Sequence, residues 1–418
     1  MKRLAIGLVM VLVFGVISAQ EIIHDRTYQD NIKTAIIYVE DNEISFPSID
    51  LQGNRKLNFT FDDLDADIKS YTYTITHCNS DWTISNLFQT DYIDGYYDER
   101  VNEYQSSFNT LINYTHYTIT IPNEYLKPKL SGNYIIQIFD SNSPGKPIIT
   151  KRFLITEYHA NVDANVKSLS QPGYFFNDQE LEIKLDFSGS DLYNPSQNTK
   201  LVVLKNHNWN EQILVTKPDK ISDQEITYNN YQFLKFKGGN EYYSFNTKHI
   251  RTAIGSIMNI DFIDNMYHFQ LYPNTDRTFK DYIYEPDING KFKIDVDNAS
   301  DPATEADYVY VYFTLLMDVP VQNGDIYIFG ALTNYGFSNE SKMVYNFEQK
   351  TYECRMLLKQ GFYNYQYVLM ENNKPDYTYL EGNHAQTENT YTILVYYYDY
   401  RGNYDRLIGV KEISSVVK

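Results

Sequence analysis

Three aspartates alternate along one short segment in a pattern that could bind a cation. Asp63, Asp65 and Asp67 have the carboxylate spacing with which a calcium-binding loop begins. Such a loop also needs a glycine at its sixth position and a glutamate at its twelfth, where this sequence has Ile68 and Thr74. The segment lies between two stretches of alternating apolar residues, which is typical of a hairpin connection. The sequence therefore predicts a turn and no metal site.

Histidines and cysteines are too dispersed to predict another metal site. His77 and Cys78 are neighbours in a strand-like stretch, so their side chains point to opposite faces and cannot readily share one tetrahedral site. His207, followed by Asn208-Trp209, has no partner motif, and the eight histidines of the chain are scattered singly.

No catalytic motif is present in the sequence. There is no Gly-x-Ser-x-Gly elbow, phosphate-binding loop or dinucleotide fingerprint. A carboxylate pair for glycoside hydrolysis is defined by its spacing in space, and the sequence singles out no such pair. We therefore expect a protein that is not an enzyme and has no cofactor.

Two cysteines, Cys78 and Cys354, exclude a framework of several disulfides. They lie far apart in the chain, in segments that we assign to different domains. Free cysteines are usually small buried residues, which is the expectation for both. A bridge between them in an oxidising compartment stays open as the alternative.

The composition favours β-strands. The 418 residues include 41 Tyr and 23 Phe but 2 Trp, and Ile, Val and Thr are also plentiful. Tyrosine suits sheet faces that are half in water, because its ring packs while its hydroxyl reaches solvent. The chain has no long amphipathic helix pattern, and its length suffices for two to four sandwich-sized domains.

The first 19 residues have the pattern of an export signal. Lys2-Arg3 is followed by the apolar stretch 4–17, and Ser18-Ala19 gives a small-residue cleavage site before Gln20. The apolar stretch is short for a retained membrane anchor, and no cysteine follows it that could carry a lipid. We expect a mature protein that is exported to the periplasm and does not insert into a membrane itself.

The mature chain is acidic. Lys2 and Arg3 are the basic residues of the predicted signal, so the rest has 34 of the 36 basic residues against all 54 acidic ones, a net charge of −20. Nucleic acid and anionic membranes are therefore unfavourable partners. The alternative reading of the charge is an acidic surface kept for solubility.

Turn-rich segments divide the mature chain into three predicted domains. We place them at residues 20–157, 158–300 and 301–418, because a polar stretch follows Glu157 and the stretch 295–304 is rich in Asp, Asn, Ser and Pro. Each region contains several alternating stretches. The predicted fold class is all-β, with three immunoglobulin-like or early-set β-sandwich domains in series.

The last of these domains resembles the early-set sandwich of glycogen-binding modules. Gly330, Asn334, Gly361, Tyr363 and Tyr365 fit the glycine, asparagine and Gly-x-Tyr-x-Tyr positions of that family. Tyr335 stands where those modules have tryptophan. A late strand, 391–398, could close the sheet of this domain. The resemblance implies a carbohydrate-binding module.

The first domain is similar to the first domain of the plug protein family of the type IX secretion system. The resemblance rests on an ordered set of segments: His77-Cys-Asn-Ser-Asp-Trp82, Asp91-Tyr-Ile-Asp-Gly95, Tyr114-Thr-His-Tyr-Thr-Ile-Thr-Ile-Pro122 and Leu130-Ser-Gly-Asn-Tyr134. The segments 381–383 and 404–409 also resemble the C-terminal end of that family. The structural motif residues that we single out are His77, Cys78, Asp81, Trp82, Gly132 and Tyr134.

Membership of that family implies a non-enzymatic protein at the inner face of the outer membrane. Its partner would be the large β-barrel translocon, with one monomer per translocon, and it would close the barrel's periplasmic opening when no cargo or accessory subunit is bound. The competing function is a periplasmic or surface carbohydrate-binding protein that uses the last domain.

Tyrosine-rich strands supply the candidate interface residues for either function. These residues are Tyr308, Tyr310, Tyr312, Tyr396, Tyr397 and Tyr398. Tyrosine is enriched at protein interfaces and also packs sugars. The alternative for the same residues is ordinary packing within a sheet.

Overall fold

Stretches in which apolar and polar residues alternate form strands, as the sequence predicts. In the strand Tyr71–Cys78, Tyr71, Tyr73 and Ile75 are buried while the threonines between them are partly exposed. A computed structural model describes residues 24–143, 145–167, 177–230 and 232–416. The predicted signal, 1–19, lies outside these residues. The prediction of an all-β fold with several sandwiches is confirmed.

The first unit comprises two main sheets packed face to face. Its elements are β1 (Arg26–Thr27), β2 (Ile32–Val39), β3 (Ser48–Asp50), β4 (Leu57–Asp63), β5 (Tyr71–Cys78), α1 (Gln89–Tyr92), β6 (Ile93–Gly95), β7 (Glu99–Arg100), β8 (Glu103–Ser106), β9 (Thr115–Ile121), β10 (Leu126–Pro128), β11 (Gly132–Asp140) and β12 (Ile149–Thr156). One sheet has the order β1-β12-β11-β5-β7, with β3 on β12, and the other has β2-β4-β9-β8. A short ribbon, β6 with β10, lies apart from them. Between the sheets, Tyr71 of β5 packs edge-on against Tyr117 of β9 with ring centroids 5.0 Å apart.

The second unit begins after this sandwich and is completed only by the end of the chain. Its first elements are β13 (Asn161–Lys167), β14 (Asp178–Asp186), α2 (Pro195–Asn198), β15 (Thr199–Lys205), β16 (Asn208–Val215), β17 (Lys220–Ser222), β18 (Glu225–Tyr228) and β19 (Lys235–Lys237). One sheet has the order β13-β14-β18-β17, with β19 also on β14. The other needs two strands from beyond residue 389. We call this the split unit.

A third two-sheet unit is inserted within the split unit. Its elements are β20 (Tyr243–Asn246), β21 (Ile257–Ile263), β22 (Met266–Leu271), β23 (Asn274–Thr275), β24 (Phe292–Ile294), α3 (Pro302–Glu305), β25 (Tyr308–Leu316), β26 (Asp325–Phe329), a 3₁₀ turn (Ala331–Thr333), β27 (Val344–Asn346), β28 (Thr351–Lys359), β29 (Gly361–Glu371) and β30 (Lys374–Asp376). One sheet has the order β21-β22-β25-β28-β27, with β23 on β25. The other has β20-β29-β24, with β26 and β30 on β29.

The last two strands return to the split unit. They are β31 (Thr390–Asp399) and β32 (Tyr404–Ser414), and they complete the sheet β16-β15-β31-β32. The late strand expected to close the last domain therefore pairs with β15 instead, with Thr199 opposite Tyr397.

The predicted boundary near residue 300 is wrong. Strands β21 and β22 precede it but share a sheet with β25 and β28, which follow it. The polar segment 295–304 crosses between the two sheets of the inserted unit, and turn-rich composition alone does not distinguish such a crossing from a domain linker. The expected spans 158–300 and 301–418 are replaced by a split unit and an inserted unit.

A buried ion pair joins the first unit to the inserted unit. Asp62 of β4 and Lys359 of β28 are 0% and 1% exposed, and the Lys359 ammonium lies 2.6 Å from Asp62 Oδ2. The Tyr308 hydroxyl donates to the same oxygen at 2.7 Å, and His116 Nδ1 lies 2.6 Å from Oδ1. Burial raises the pKa of Asp62, but the Lys359 ammonium and His116 outweigh it, so the carboxylate is ionised.

A second joint packs the first unit against the split unit. The sheet that carries β12 is buried on both faces along that strand, since every residue of β12 is buried. Its outer face forms an apolar cluster with β15, β31 and β32: Phe46, Cys78, Trp82, Ile135, Leu154, Val202, Leu204, Leu394, Tyr396 and Leu407. The Arg152 guanidinium lies 4.5 Å from the Trp82 ring and 5.7 Å from the Trp209 ring.

The two connections between the split and inserted units are bound to each other. Thr387 Oγ1 donates to the Gly239 carbonyl at 3.0 Å, and the His384 N–H donates to the same carbonyl at 2.8 Å. Asn389 Nδ2 donates to Gln179 Oε1 at 3.0 Å and to the Gly238 carbonyl at 2.8 Å. All three pairs of units are therefore joined by buried or partly buried contacts.

We predict that Lys359→Met lowers the free energy of unfolding by about 3–5 kcal/mol, because it leaves the Asp62 carboxylate buried without its cation. Urea titration followed by circular dichroism measures the change.

The matched control is Lys33→Met, which removes the ion pair of Lys33 with Glu340, 59% exposed, between the same two units. It should cost less than about 1 kcal/mol. A Lys359→Met variant as stable as the control would contradict the role of the buried pair.

Candidate interaction surface

A lysine occupies the centre of the aspartate cluster that resembles a calcium loop. The side-chain oxygens of Asp63, Asp65 and Asp67 lie within 4.8 Å of one another. The Lys69 ammonium lies 2.9 Å from Asp63 Oδ2 and 3.4 Å from Asp67 Oδ1, and it also pairs with Asp65. The cluster lies in the connection between β4 and β5, and its charge is already partly neutralised by an internal cation. These two strands belong to different sheets, so the predicted hairpin is wrong: the segment crosses from one sheet to the other.

His77 has a structural place inside the first unit. Its Nδ1 lies 2.9 Å from Ser85 Oγ and its Nε2 lies 3.2 Å from the Ser131 carbonyl. Burial lowers its pKa to about 4, so the ring is neutral at pH 7. Gly132 has φ +144°, and a Cβ there would lie 2.4 Å from His77 Nε2, so no larger residue fits. Tyr134 pairs with His77 across β5 and β11.

Asp81 and Trp82 lie in the turn that follows β5. Asp81 Oδ1 accepts hydrogen bonds from the Thr83 N–H at 3.0 Å and the Thr83 hydroxyl at 2.6 Å. Trp82 is 2% exposed and packs on Trp209 with ring centroids 4.8 Å apart. The indole therefore covers the joint between two units, whereas the sequence indicated the core of one.

Both cysteines are free and buried. Cys78 lies in the cluster between the first and split units, and Cys354 lies in the core of the inserted unit. Burial raises the pKa of each thiol to about 12, so both are protonated at neutral pH and unreactive.

Three of the six candidate interface tyrosines are buried and therefore do not form an exposed binding face. Tyr308, Tyr396 and Tyr397 are 1%, 0% and 6% exposed. The Tyr308 hydroxyl bonds Asp62, the Tyr396 hydroxyl donates to Asn133 Oδ1 at 2.6 Å, and the Tyr397 hydroxyl donates to the Tyr193 carbonyl at 2.9 Å. Tyr308 and Tyr396 thus join the units of this chain to one another.

The other three candidate tyrosines are half-buried and contact neighbours in this chain. The Arg355 guanidinium lies 4.4 Å from the Tyr310 ring. The Tyr312 hydroxyl lies 2.8 Å from His268 Nδ1, and the Tyr398 hydroxyl donates to Asn403. The six residues therefore do not form one surface.

The residues that resemble a glycogen-binding module are mostly core residues. Tyr363 and Tyr365 are each 2% exposed, and Tyr363 stacks on Phe245 with ring centroids 5.2 Å apart. Gly361 lies against the backbone of Lys293, where a Cβ would approach the carbonyl oxygen to 2.4 Å. This arrangement packs a sandwich and leaves the two rings unavailable to a sugar.

An exposed group of aromatic side chains lies on the first unit. Phe88, Tyr96, Tyr97 and Tyr125 are 79%, 63%, 48% and 48% exposed, and we call them the aromatic patch. The ring centroids of Tyr96 and Tyr125 are 6.5 Å apart. The amide of Gln89, next to Phe88, donates to the Tyr97 carbonyl at 3.4 Å, which holds the two segments together.

The ribbon β6–β10 positions this patch. Leu126 pairs with Gly95, which has φ +124° and would bring a Cβ to 1.9 Å from the Tyr125 carbonyl. Only glycine fits there, and the chain turns so that the flanking tyrosines face solvent. In the sequence, these side chains can be recognised as aromatic residues within polar turn segments. They lie outside the alternating stretches that contain the six candidate interface tyrosines.

A second apolar surface lies on the edge strand β21 of the inserted unit. Met258, Phe262 and Ile263 are 42%, 55% and 49% exposed. Among the described strands, β21 pairs with β22 alone, so its other edge has free backbone groups. Exposed apolar edges are sites of pairing with other chains. Both surfaces suit protein binding, and neither brings together groups for acid–base or nucleophilic chemistry.

No helix in the described ranges has the length and apolar character of a membrane span.

Comparisons with known proteins give a family and solved structures that this chain resembles. The family model described as type 9 secretion system plug protein 1st domain matches residues 32–157, which covers most of the first unit. A crystal structure of a hypothetical protein from Parabacteroides merdae ATCC 43184 superposes with a TM-score of 0.90 at 32% sequence identity, over 94% of this chain and 99% of that one. No curated protein matches.

We predict that calcium leaves the melting temperature of the wild-type protein unchanged, because the Lys69 ammonium already neutralises part of the aspartate cluster. Replacing this lysine, Lys69→Ala, should make stability rise with calcium, since three carboxylates would then face one another without a cation.

Thermal melts of both proteins with and without 5 mM calcium, on the order of a weak site's dissociation constant, provide the measurement. A clear rise for the wild-type protein would contradict this description of the cluster.

Proposed function

Because this chain belongs to the plug protein family of the type IX secretion system, we propose that it closes the periplasmic opening of that system's outer-membrane barrel when no cargo or accessory subunit is bound. The observation that carries the proposal is the family match over residues 32–157. The mechanism is steric, and it places the protein as one monomer per barrel at the inner face of the outer membrane.

A steric plug must keep its shape while it is pressed against an opening, and the joints between units support that role. The Asp62–Lys359 pair, the Trp82–Arg152–Trp209 stack and the paired connections around Gly239 bind each unit to the other two. The inserted unit is also bound at both ends, because the chain enters and leaves it through the split unit. Such a body resists threading better than three domains on single linkers.

The aromatic patch is the docking surface that this function favours. It lies within the part of the chain that matches the family, and it exposes four rings in one region. Aromatic residues provide most of the energy at protein interfaces when a partner buries them. The net charge of −20 for residues 20–418 would complement a basic rim on the barrel.

Release requires that cargo or an accessory subunit bind the open barrel more tightly than the plugged one. A ligand shifts such an equilibrium only by its differential affinity for the two states. The plug itself supplies no chemical step in this proposal and needs no cofactor or metal.

Affinity purification of the tagged protein from its native cells tests this function. We predict that an outer-membrane barrel of the secretion system co-purifies with the wild-type protein. The double variant Tyr96→Ser with Tyr125→Ser should reduce recovery of the barrel about tenfold or more, since two exposed anchors are lost without disturbing the core.

The matched control is Phe262→Ser with Ile263→Ser on the edge strand, which removes a similar amount of exposed apolar surface from another unit. It should leave recovery unchanged. If only the control variant fails to recover the barrel, the docking surface lies on the inserted unit instead. If neither the wild-type protein nor any variant recovers a barrel, the proposed function is contradicted.

A further inference from the structure

A cavity of about 230 Å³ lies where the three units meet. Phe46, Lys151 and Arg152 line it from the first unit, Trp209 from the split unit, and Lys291 and Tyr335 from the inserted unit. Exposed residues such as His24 and Asn210 also line it, so it opens to solvent. A site of this size is smaller than the ~300–1,000 Å³ of drug-sized pockets, which restricts it to small ligands or a chain end.

Three cationic side chains line this cavity. Lys151 donates to Asn334 Oδ1 at 2.6 Å, and the Arg152 guanidinium lies over the two indole rings. Lys291 is different, because its ammonium forms no hydrogen bond or ion pair with any described residue. Burial lowers the pKa of Lys291, and the Glu412 carboxylate offsets part of that effect. Glu412 thus acts on Lys291 only from beyond hydrogen-bonding distance, and a partly buried ammonium without a hydrogen-bonded counterion favours an anionic ligand.

The acidic groups in the lining are fewer than the basic ones, so the net charge of the lining is positive. Asp25 and Glu43 are the carboxylates there, and Asp25 Oδ1 already accepts the Arg152 backbone N–H at 2.8 Å. His207 also lines the cavity, but burial and the Lys291 charge lower its pKa, and it bonds Glu412 behind the lining. Within the lining, two negative groups thus face three positive ones, and the Glu412 carboxylate lies behind it.

The rest of the lining is aromatic and carries one unused hydroxyl. Phe46, Trp209 and Phe337 form apolar walls, with Phe46 and Trp209 ring centroids 6.4 Å apart. The Tyr335 hydroxyl is buried and has no hydrogen-bond partner among the described residues. Its backbone carbonyl accepts from Asn210 Nδ2 at 2.8 Å, which fixes the ring's segment against the split unit. The lining therefore offers apolar contact, a cation and a free hydroxyl in one place.

We propose that this cavity binds an organic carboxylate that carries an aromatic or aliphatic group. The Lys291 ammonium pairs with the carboxylate, and the aromatic walls hold the apolar part. Two sources have this chemistry: a free small carboxylate and the C-terminal residue of a peptide chain. The inference rests on the cavity alone and is independent of the role in secretion.

Because residues of all three units line the cavity, an occupant contacts all three and favours the joined arrangement. A ligand that binds only this arrangement stabilises it by mass action. Occupancy should therefore raise the melting temperature as well as give a binding signal.

Isothermal titration calorimetry of the mature protein at pH 7 with N-acetylphenylalanine tests the proposal. We expect saturable binding, and about tenfold or more weaker binding of N-acetylphenylalanine amide, because the amide lacks the charge that pairs with Lys291. Maltose, a neutral sugar, should give no signal.

Variants of Lys291 separate the charge from the shape of the cavity. Lys291→Met should weaken binding of the acid about tenfold or more and leave the amide unaffected, while Lys291→Arg should restore binding of the acid. The control Lys350→Met removes a surface lysine that is 62% exposed, and it should change nothing. Thermal melts establish that each variant is folded.

The peptide Gly-Gly-Gly-Phe with a free C-terminus distinguishes the two sources. Binding of both the peptide and the acetylated residue assigns the site to a chain end, and binding of the acetylated residue alone assigns it to a free carboxylate. Equal binding of acid and amide, unchanged binding by Lys291→Met, preference for maltose, or no signal at about 10 mM ligand, well above the dissociation constant expected for this ligand size, would each overturn the proposal.

Discussion

An aspartate that has no access to water determines how this protein is assembled. Asp62 lies on the first unit, and the groups that compensate its charge come from two units: His116 from its own, and Lys359 and Tyr308 from the inserted one. A carboxylate of this kind is stable only when its partners stay in place, because removing one leaves a buried charge. The first unit is therefore stable only while the inserted unit keeps its position against it.

The same joint shows what buried polar groups contribute here beyond stability. Tyr308 bonds Thr34 as well as Asp62, and the Lys359 ammonium lies 4.1 Å from the Tyr114 ring and also donates to the Ala303 carbonyl. An apolar joint tolerates sliding, whereas these groups are satisfied in one arrangement only. For a protein proposed to block an opening, a fixed arrangement of its units is the property that matters.

The sequence predicts the strands well because alternation is local. The pattern of β5, and the sandwich class that follows from many such strands, needs no knowledge of distant residues. The insertion is not predictable in that way. Whether β31 pairs with the sheet before it or with β15, about 190 positions earlier by their numbering, depends on contacts between distant segments, which the local pattern of β31 does not contain.

The candidate interface illustrates the same limit. Tyrosines at alternating strand positions, such as Tyr308 and Tyr396, fit either an exposed interface or ordinary packing by their sequence pattern, and in the structure each faces another unit of the chain. A half-polar ring at a sheet surface looks the same in sequence whether water, a partner or a second unit covers it. The aromatic patch is not predictable from periodicity, because its rings lie in turns, where the sequence has no alternating pattern.

Permeability of the outer membrane in a strain that lacks this protein tests the central claim most directly. If the protein closes the barrel by filling its opening, the deletion strain should admit a large antibiotic such as vancomycin, and its cargo should still be secreted. Wild-type protein supplied from a plasmid should restore the barrier. A deletion strain with an intact barrier, or one whose leak persists when the wild-type protein is restored, would contradict the account.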